Sequence, residues 1–153
     1  MGKNKLYLRR LLLSRSDWME QRLYENADSN GYGDVTPAMS RLFAHLAGKP
    51  IGLSELARRL AVTRQAVHKL ATDAAQMGYV EFVNSDVDAR VKLLRFTQKG
   101  WNMAESAECE LHAIESDLAH VIGVEKLNLL KDILALPWSK DESDRRLKAK
   151  AAI

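Results

Sequence analysis

Apolar residues recur at Leu8, Leu12, Met19 and Leu23, and Leu11 and Trp18 widen the stripe, so the pattern predicts an amphipathic helix over residues 4–27. NADSNGYGD, residues 26–34, breaks it with turn-forming residues. Thr36 followed by Pro37 reads as a cap and a first helical position, starting a helix that runs to about Ala47 and is stopped by Gly48-Lys49-Pro50. Ser54 is expected to cap SELARRLA, whose Glu55 lies in the first turn where the helix dipole favours an acid. The next helix follows almost at once. Thr63 caps it, Val67, Leu70, Ala71 and Ala74 form its apolar stripe, and Gly78 ends it. YVEFV (79–83) and VKLLRF (91–96) are β-branched and aromatic runs around the turn-rich NSDVDA, which predicts a hairpin. Thr97 then caps a long helix with Ala104, Ala107, Leu111, Ile114, Leu118 and Val121, spaced alternately by three and four residues as in a helix-on-helix seam. Part of that seam is expected to pack within the chain. Gly123 interrupts it, and VEKLNLLKDILAL forms one more helix before Pro137.

The order helix, minimal connection, helix and two-stranded hairpin is that of a winged helix-turn-helix, in a chain that is otherwise mainly α. SELARRLA is expected to pack across the helix that Thr63 caps and leave one face of it free. Furthest from Val67 on the helical wheel lie Gln65, Lys69, Thr72 and Gln76, with His68 to one side and Arg64 nearer the flank. No acid enters this stretch before Asp73. Such a face suits the DNA major groove: arginine pairs bidentately with guanine, glutamine with adenine, and lysine and threonine reach phosphates. A helix with this face and nothing around it reads as merely solvated. The neighbouring helix and hairpin favour DNA.

In the hairpin SDVDARVKLLRF, Arg90 lies at the tip, where it can enter the narrow minor groove between flanking phosphates. Asp88, two residues earlier on the same side of an extended chain, is expected to hold that guanidinium in a defined pose. Asp86 is assigned to the turn, and Lys92 and Arg95 to phosphates further down the wing.

Charge is distributed in keeping with this. The 153 residues carry a net charge of +3, made up of +3 in residues 1–50, +3 in 51–100, −5 in 101–136 and +2 in 137–153. A basic middle beside an acidic helical segment suits an anionic partner on one face and something else on the other, although so few charges also fit a chance fluctuation. Apolar runs are short, and LLL at 11–13 is flanked by arginine, so no membrane span is expected. The basic N-terminus lacks a longer apolar region and a cleavage site, and Cys109 is the lone cysteine; both point to the cytoplasm.

VTPAMSRLFAHL followed by LSELARRLAVTRQAVHKLATDAAQMGYVEFVNSDVDARVKLLRFTQKG resembles the MarR family of transcriptional regulators over about residues 35–136. The D-x-R wing, strand and T-x-x-G start are its most specific part; Asp88 and Arg90 match the wing pair, and Thr97 and Gly100 the start of the long helix. The resemblance implies a homodimer on a pseudo-palindromic operator. Residues 1–34 and 100–136 would serve dimerisation, 35–99 would be the DNA-binding domain, and 137–153 a charged tail that it does not explain. RRLKAK in that tail can touch phosphates, or the tail can swap onto the partner subunit. The DNA-contact set is then Thr63, Arg64, Gln65, His68, Lys69, Thr72, Asp88, Arg90 and Lys92. Ala89 departs from the family, which often has a second arginine there, and implies a weaker wing. Many relatives bind small aromatic or amphipathic anions; Arg15, Trp18, Met19, Arg41, His45 and Trp101 are residue types suited to such an effector. Trp18 and Trp101, however, are of a type found more often in a core or an interface than in a ligand site.

No metal or other cofactor is expected. His112 and His120 are two helical turns apart, too far for one ion without ligands from elsewhere. Cys109 has no basic neighbour to activate it, and some relatives sense oxidants through a cysteine near the N-terminal helix, where this chain has none. No nucleophile triad, P-loop or glycine fingerprint appears, which argues against an enzyme. The rival reading is a winged helix that docks a protein, its basic face incidental; another makes ligand or redox sensing primary.

Overall fold

Helices and strands follow one another as α1 (Leu8–Ser29), α2 (Pro37–Phe43), β1 (Ile51–Gly52), α3 (Leu53–Leu60), α4 (Arg64–Gln76), β2 (Val80–Asn84), β3 (Lys92–Phe96), α5 (Gln98–Ile122) and α6 (Val124–Ala135). They belong to a computed structural model that describes residues 6–46 and 48–143. Two compact units divide the chain, Met1–Leu111 and His112–Ile153. The fold is mainly α with a small antiparallel sheet in the order β1-β3-β2, a winged helix-turn-helix with further helices. No described helix is long and apolar enough to cross a membrane.

Threonine caps begin the helices where the sequence places them. Thr36 Oγ1 accepts from the Met39 amide at 3.2 Å, with Pro37 following, and Thr63 Oγ1 accepts from the Ala66 amide at 3.1 Å. Two expectations change. The cap of α3 is Gly52, and Ser54 falls inside the helix. Ile51 and Gly52 are drawn into the sheet opposite Leu94 and Leu93, which advances the helix start and buries Leu53. Helix α2 ends at Phe43, with Ala44 to Leu46 in a turn. Ala47, residues 4 and 5, and RRLKAK lie outside the described residues.

Buried Leu42, Leu56, Val67, Ala71, Ala74, Tyr79 and Leu94 centre the core of the first unit. Val67, Ala71 and Ala74 are the inner stripe of α4, so their burial fixes which face of that helix is outward. Both short helices of the motif end in paired main-chain bonds of the Schellman type. After α4, Gly78 at φ 83° lets its own N–H reach Ala75 O and that of Tyr79 reach Ala74 O. After α3 the same turn is made by Ala61 at φ 53°, with Val62 N–H bonded to Ala57 O. Alanine there carries a side chain in the left-handed region.

One hydroxyl joins the hairpin to α5. Thr97 Oγ1 donates to Gly78 O at 2.5 Å and accepts from the Gly100 amide at 3.1 Å, while the Thr97 amide bonds Tyr79 O at 3.0 Å. Gly100 lies so close that a Cβ would come within 2.0 Å of Tyr79 O and 2.7 Å of Phe96 Cδ1. The T-x-x-G pattern therefore marks a cap and a close approach. Tyr79 itself donates a short hydrogen bond to the Asp34 carboxylate, and Lys99 Nζ lies 4.2 Å from its ring centroid. Burial first, then the Asp34 hydrogen bond, raises the Tyr79 hydroxyl pKa.

Of the long-helix seam, Ile114 is buried, Leu111 is 43% exposed and Val121 82% exposed. α1 buries none of its side chains, though Arg22 pairs with Glu110 at 2.7 Å. Beyond Pro137, Ser139 Oγ accepts from the Glu142 amide and so caps a further helical turn, while the Glu142 carboxylate accepts from the Trp138 amide.

Gly100→Ala is expected to lower unfolding stability by about 2–3 kcal/mol, read by urea denaturation, because main chain has to move. Ala61→Gly is expected to raise it. Relief of the left-handed strain, about 1–2 kcal/mol, outweighs the added freedom of the unfolded chain, about 0.4–1 kcal/mol, leaving a net gain near 1 kcal/mol or less. Glu55 supplies a pH test. Hydrogen bonds from Arg58 and then Arg59 lower its pKa from 4.5 to about 2. Its folded value lies below its unfolded one, so its contribution is present above pH 4.5 and fades as pH falls towards 2. The group is solvent-screened, so the difference between wild type and Glu55→Gln should be at most about 1 kcal/mol at neutral pH and shrink on acidification.

Candidate nucleic-acid interface

The outer face of α4 is open to solvent. Thr63, Arg64, Gln65, His68, Lys69 and Gln76 are exposed, and Thr72 is half-buried with its hydroxyl donating to His68 O at 2.8 Å. Their charges are not all free. Lys69 Nζ pairs with Asp73 at 2.8 Å, one turn along the helix. Arg64, at the first position of α4, makes no ion pair among the described residues. An imidazole–phenyl contact also reaches from this face to the sheet, His68 stacking on Phe82 with centroids 6.0 Å apart. Sequence reading missed Phe82. Its place in an apolar strand run reads as core, and nothing local shows that it faces His68.

The wing is closed at its base by Ser85 N–H to Val91 O at 3.0 Å and tightened by Val91 N–H to Asp88 O at 2.9 Å. Asp88 does not hold the Arg90 guanidinium, as the sequence suggested. Its Oδ1 accepts from the Arg90 main-chain amide at 3.0 Å, because a short carboxylate two residues back reaches the main chain in a turn. The Arg90 side chain is exposed and has no carboxylate partner among the described residues. Asp86 is exposed in the same turn, and Val87 at the apex is 97% exposed.

Further down the wing, cross-strand partners occupy the expected phosphate contacts. Lys92 Nζ donates to Asn84 Oδ1 and Arg95 Nε to Glu81 Oε1, each between residues that face one another in the β2–β3 register. Arg95 is thereby largely neutralised. Lys92 keeps its charge.

The six residues assigned to an effector are less clearly gathered. His45 lines a hollow of about 350 Å³ with Lys49, Pro50 and Arg59. Arg41 lines a different one, about 360 Å³, with Leu60, Val62 and Leu70. Trp18 is exposed beneath the Arg22 guanidinium, 5.8 Å from its ring centroid, and Trp101 stands edge-on to Phe96 at 5.2 Å. Arg15 is exposed and Met19 half-buried on α1. Cys109 is exposed, and His120 Nδ1 contacts Ser116 O of its own helix. Among the described residues no group of three or more His, Cys, Asp or Glu is placed to hold a metal ion.

Comparison with known proteins agrees with this architecture. Residues 33–91 match the sequence model of the MarR family. No curated protein matches the chain. Wild-type MarR from E. coli, in its apo form, is 20% identical with a TM-score of 0.67, over 86% of this chain and 98% of that one. CouR, a transcriptional repressor solved on a 23-mer DNA duplex, is 20% identical with a TM-score of 0.68, over 88% and 94%. NadR, solved in complex with 4-hydroxyphenylacetate, is 20% identical with a TM-score of 0.69, also over 88% and 94%. Likeness at this identity establishes the fold. The matched segment spans the helix-turn-helix and most of the wing, and over it this chain is similar in sequence to the MarR family.

Proposed function

We propose that the chain is a homodimeric, sequence-specific regulator of transcription, a repressor that binds double-stranded DNA and is released by a small-molecule effector, and that it is not an enzyme. One observation carries the reading. An exposed polar face on α4 stands in the same unit as a wing whose carboxylate is used on the main chain, leaving the Arg90 guanidinium unpaired. α4 then enters the major groove, where Arg64 and Gln65 read bases with His68 beside them, and Thr63, Lys69, Thr72 and Lys92 meet phosphates. Arg90 enters the minor groove, and Asp88 shapes the turn that presents it.

The dimer is supported by apolar side chains left open on each unit's own helices. In the first unit, α1 exposes Leu8, Leu11 and Leu13; in the second, α6 exposes Leu129, Leu130, Ile133 and Leu134. Residues 1–34 and 100–136 are accordingly assigned to dimerisation and 35–99 to DNA. Two-fold symmetry implies half-sites about one helical turn apart, roughly 34–36 Å. The 4-hydroxyphenylacetate held by NadR supports a small aromatic acid as effector, with Arg15, Trp18, Met19, Arg41, His45 and Trp101 as candidate contacts. Such a ligand releases DNA only if it binds the DNA-incompetent state more tightly.

Selection of random duplexes on the purified protein, at low and near-physiological salt, is expected to enrich a two-fold symmetric motif. On that motif Arg64→Ala should cost about 1–3 kcal/mol and relax one base per half-site. Arg90→Ala should weaken binding with less change in sequence preference and reduce the salt slope by about one. Equal, small effects of both overturn this division of roles. Failure to enrich any motif, with weak binding at low salt alone, overturns DNA recognition in favour of a protein-docking winged helix.

A further inference from the structure

Phe82 lies on β2 opposite the fully buried Leu94 and packs against the core cluster of the first unit. The exposed His68 imidazole of α4 packs beside its ring in an offset stack, with centroids 6.0 Å apart and planes inclined by 28°. A ring seated on a core-anchored ring has few orientations left. Among the described residues no hydrogen bond occupies the His68 ring nitrogens, so they are free to donate or accept elsewhere. The next turn of the helix is also pinned, by the Thr72 hydroxyl on His68 O and by the Lys69–Asp73 pair. The same contact ties α4 to the strand that leads into the wing.

Resting on the DNA-binding reading above, we infer that Phe82 is a positioning residue: its ring orders the His68 imidazole before DNA arrives and makes His68 a specificity-determining contact. An unstacked histidine has to lose its side-chain freedom on binding, whereas this one has lost it already. Removing the flat ring therefore weakens operator binding by roughly 2- to 10-fold, the equivalent of ordering one side chain. The effect acts only through His68. On DNA, Phe82 touches nothing.

Two measurements test this on the full chain. The first is the imidazole proton spectrum of the free protein, with His68 assigned from His68→Gln. Stacking on Phe82 shifts its ring protons upfield, and Phe82→Leu removes the shift while Phe82→Tyr keeps it. An unshifted wild-type His68 overturns the proposal. The second is a double-mutant cycle on the selected operator, with folding of every variant checked by denaturation. Phe82→Leu is expected to weaken binding when His68 is present and to change nothing beside His68→Ala, with Phe82→Tyr restoring the wild-type value. Equal loss in both backgrounds means a packing role only and overturns the proposal while leaving the DNA reading intact. Should no operator be selected by the wild type, both fail together.

Discussion

The hydroxyl of Thr97 is the junction on which the winged-helix unit depends. One oxygen receives the Gly100 amide at the start of α5 and donates to Gly78 O at the end of α4, while the adjoining amide holds Tyr79 O. Two segments distant in sequence, residues 78–79 and 97–100, thus share one small set of polar atoms, all satisfied. Gly100 makes the closeness attainable, since main chain of one element lies where a Cβ would be. Tyr79 extends the junction by ring contacts to Tyr32 and Phe43 and by its hydroxyl to Asp34.

How much of this could be read beforehand depended on whether the partner of each residue was local. Thr36, Thr63 and Gly78 act within a few residues of themselves, so their roles were legible as caps and stops. β1 was not, because two residues become a strand only when Leu93 and Leu94 arrive from far along the chain. Ser54 was misread for the same reason: the sheet, by taking Ile51 and Gly52, moved the helix start ahead of it. At the candidate interface the exposed face of α4 followed from periodicity alone. Asp88 was read as part of an extended chain that holds the Arg90 guanidinium; it sits instead in a turn and binds main chain, since main-chain amides compete with side chains for a short carboxylate. The cross-strand pairs were within reach of the sequence. Glu81 and Arg95, and Asn84 and Lys92, are equidistant from Asp88, and a hairpin centred there brings each pair together.

Those pairs also qualify the meaning of a basic surface. Of the cations near α4 and the wing, Lys69 is tied to Asp73, Arg95 to Glu81, and Arg58 and Arg59 to Glu55. Each exposed pair adds little to stability, about 0–1 kcal/mol, but each cancels charge that would otherwise attract any polyanion. What stays free of a carboxylate is concentrated at Arg64, at the start of the helix, and at Arg90 and Lys92 in the hairpin. A surface of this kind discriminates by where its charge is placed, with less long-range attraction than the count of lysines and arginines suggests.

The bare approach at Gly100 has a genetic counterpart. Every missense change of a glycine codon installs a side chain, and none has room beside Tyr79 O. Mutational screens of this chain would therefore find a cluster of loss-of-function alleles at position 100, in a helix start with no exposed chemistry of its own. Such alleles deplete the folded protein and leave its surface unaltered. Read without the structure, they would be mistaken for a contact site.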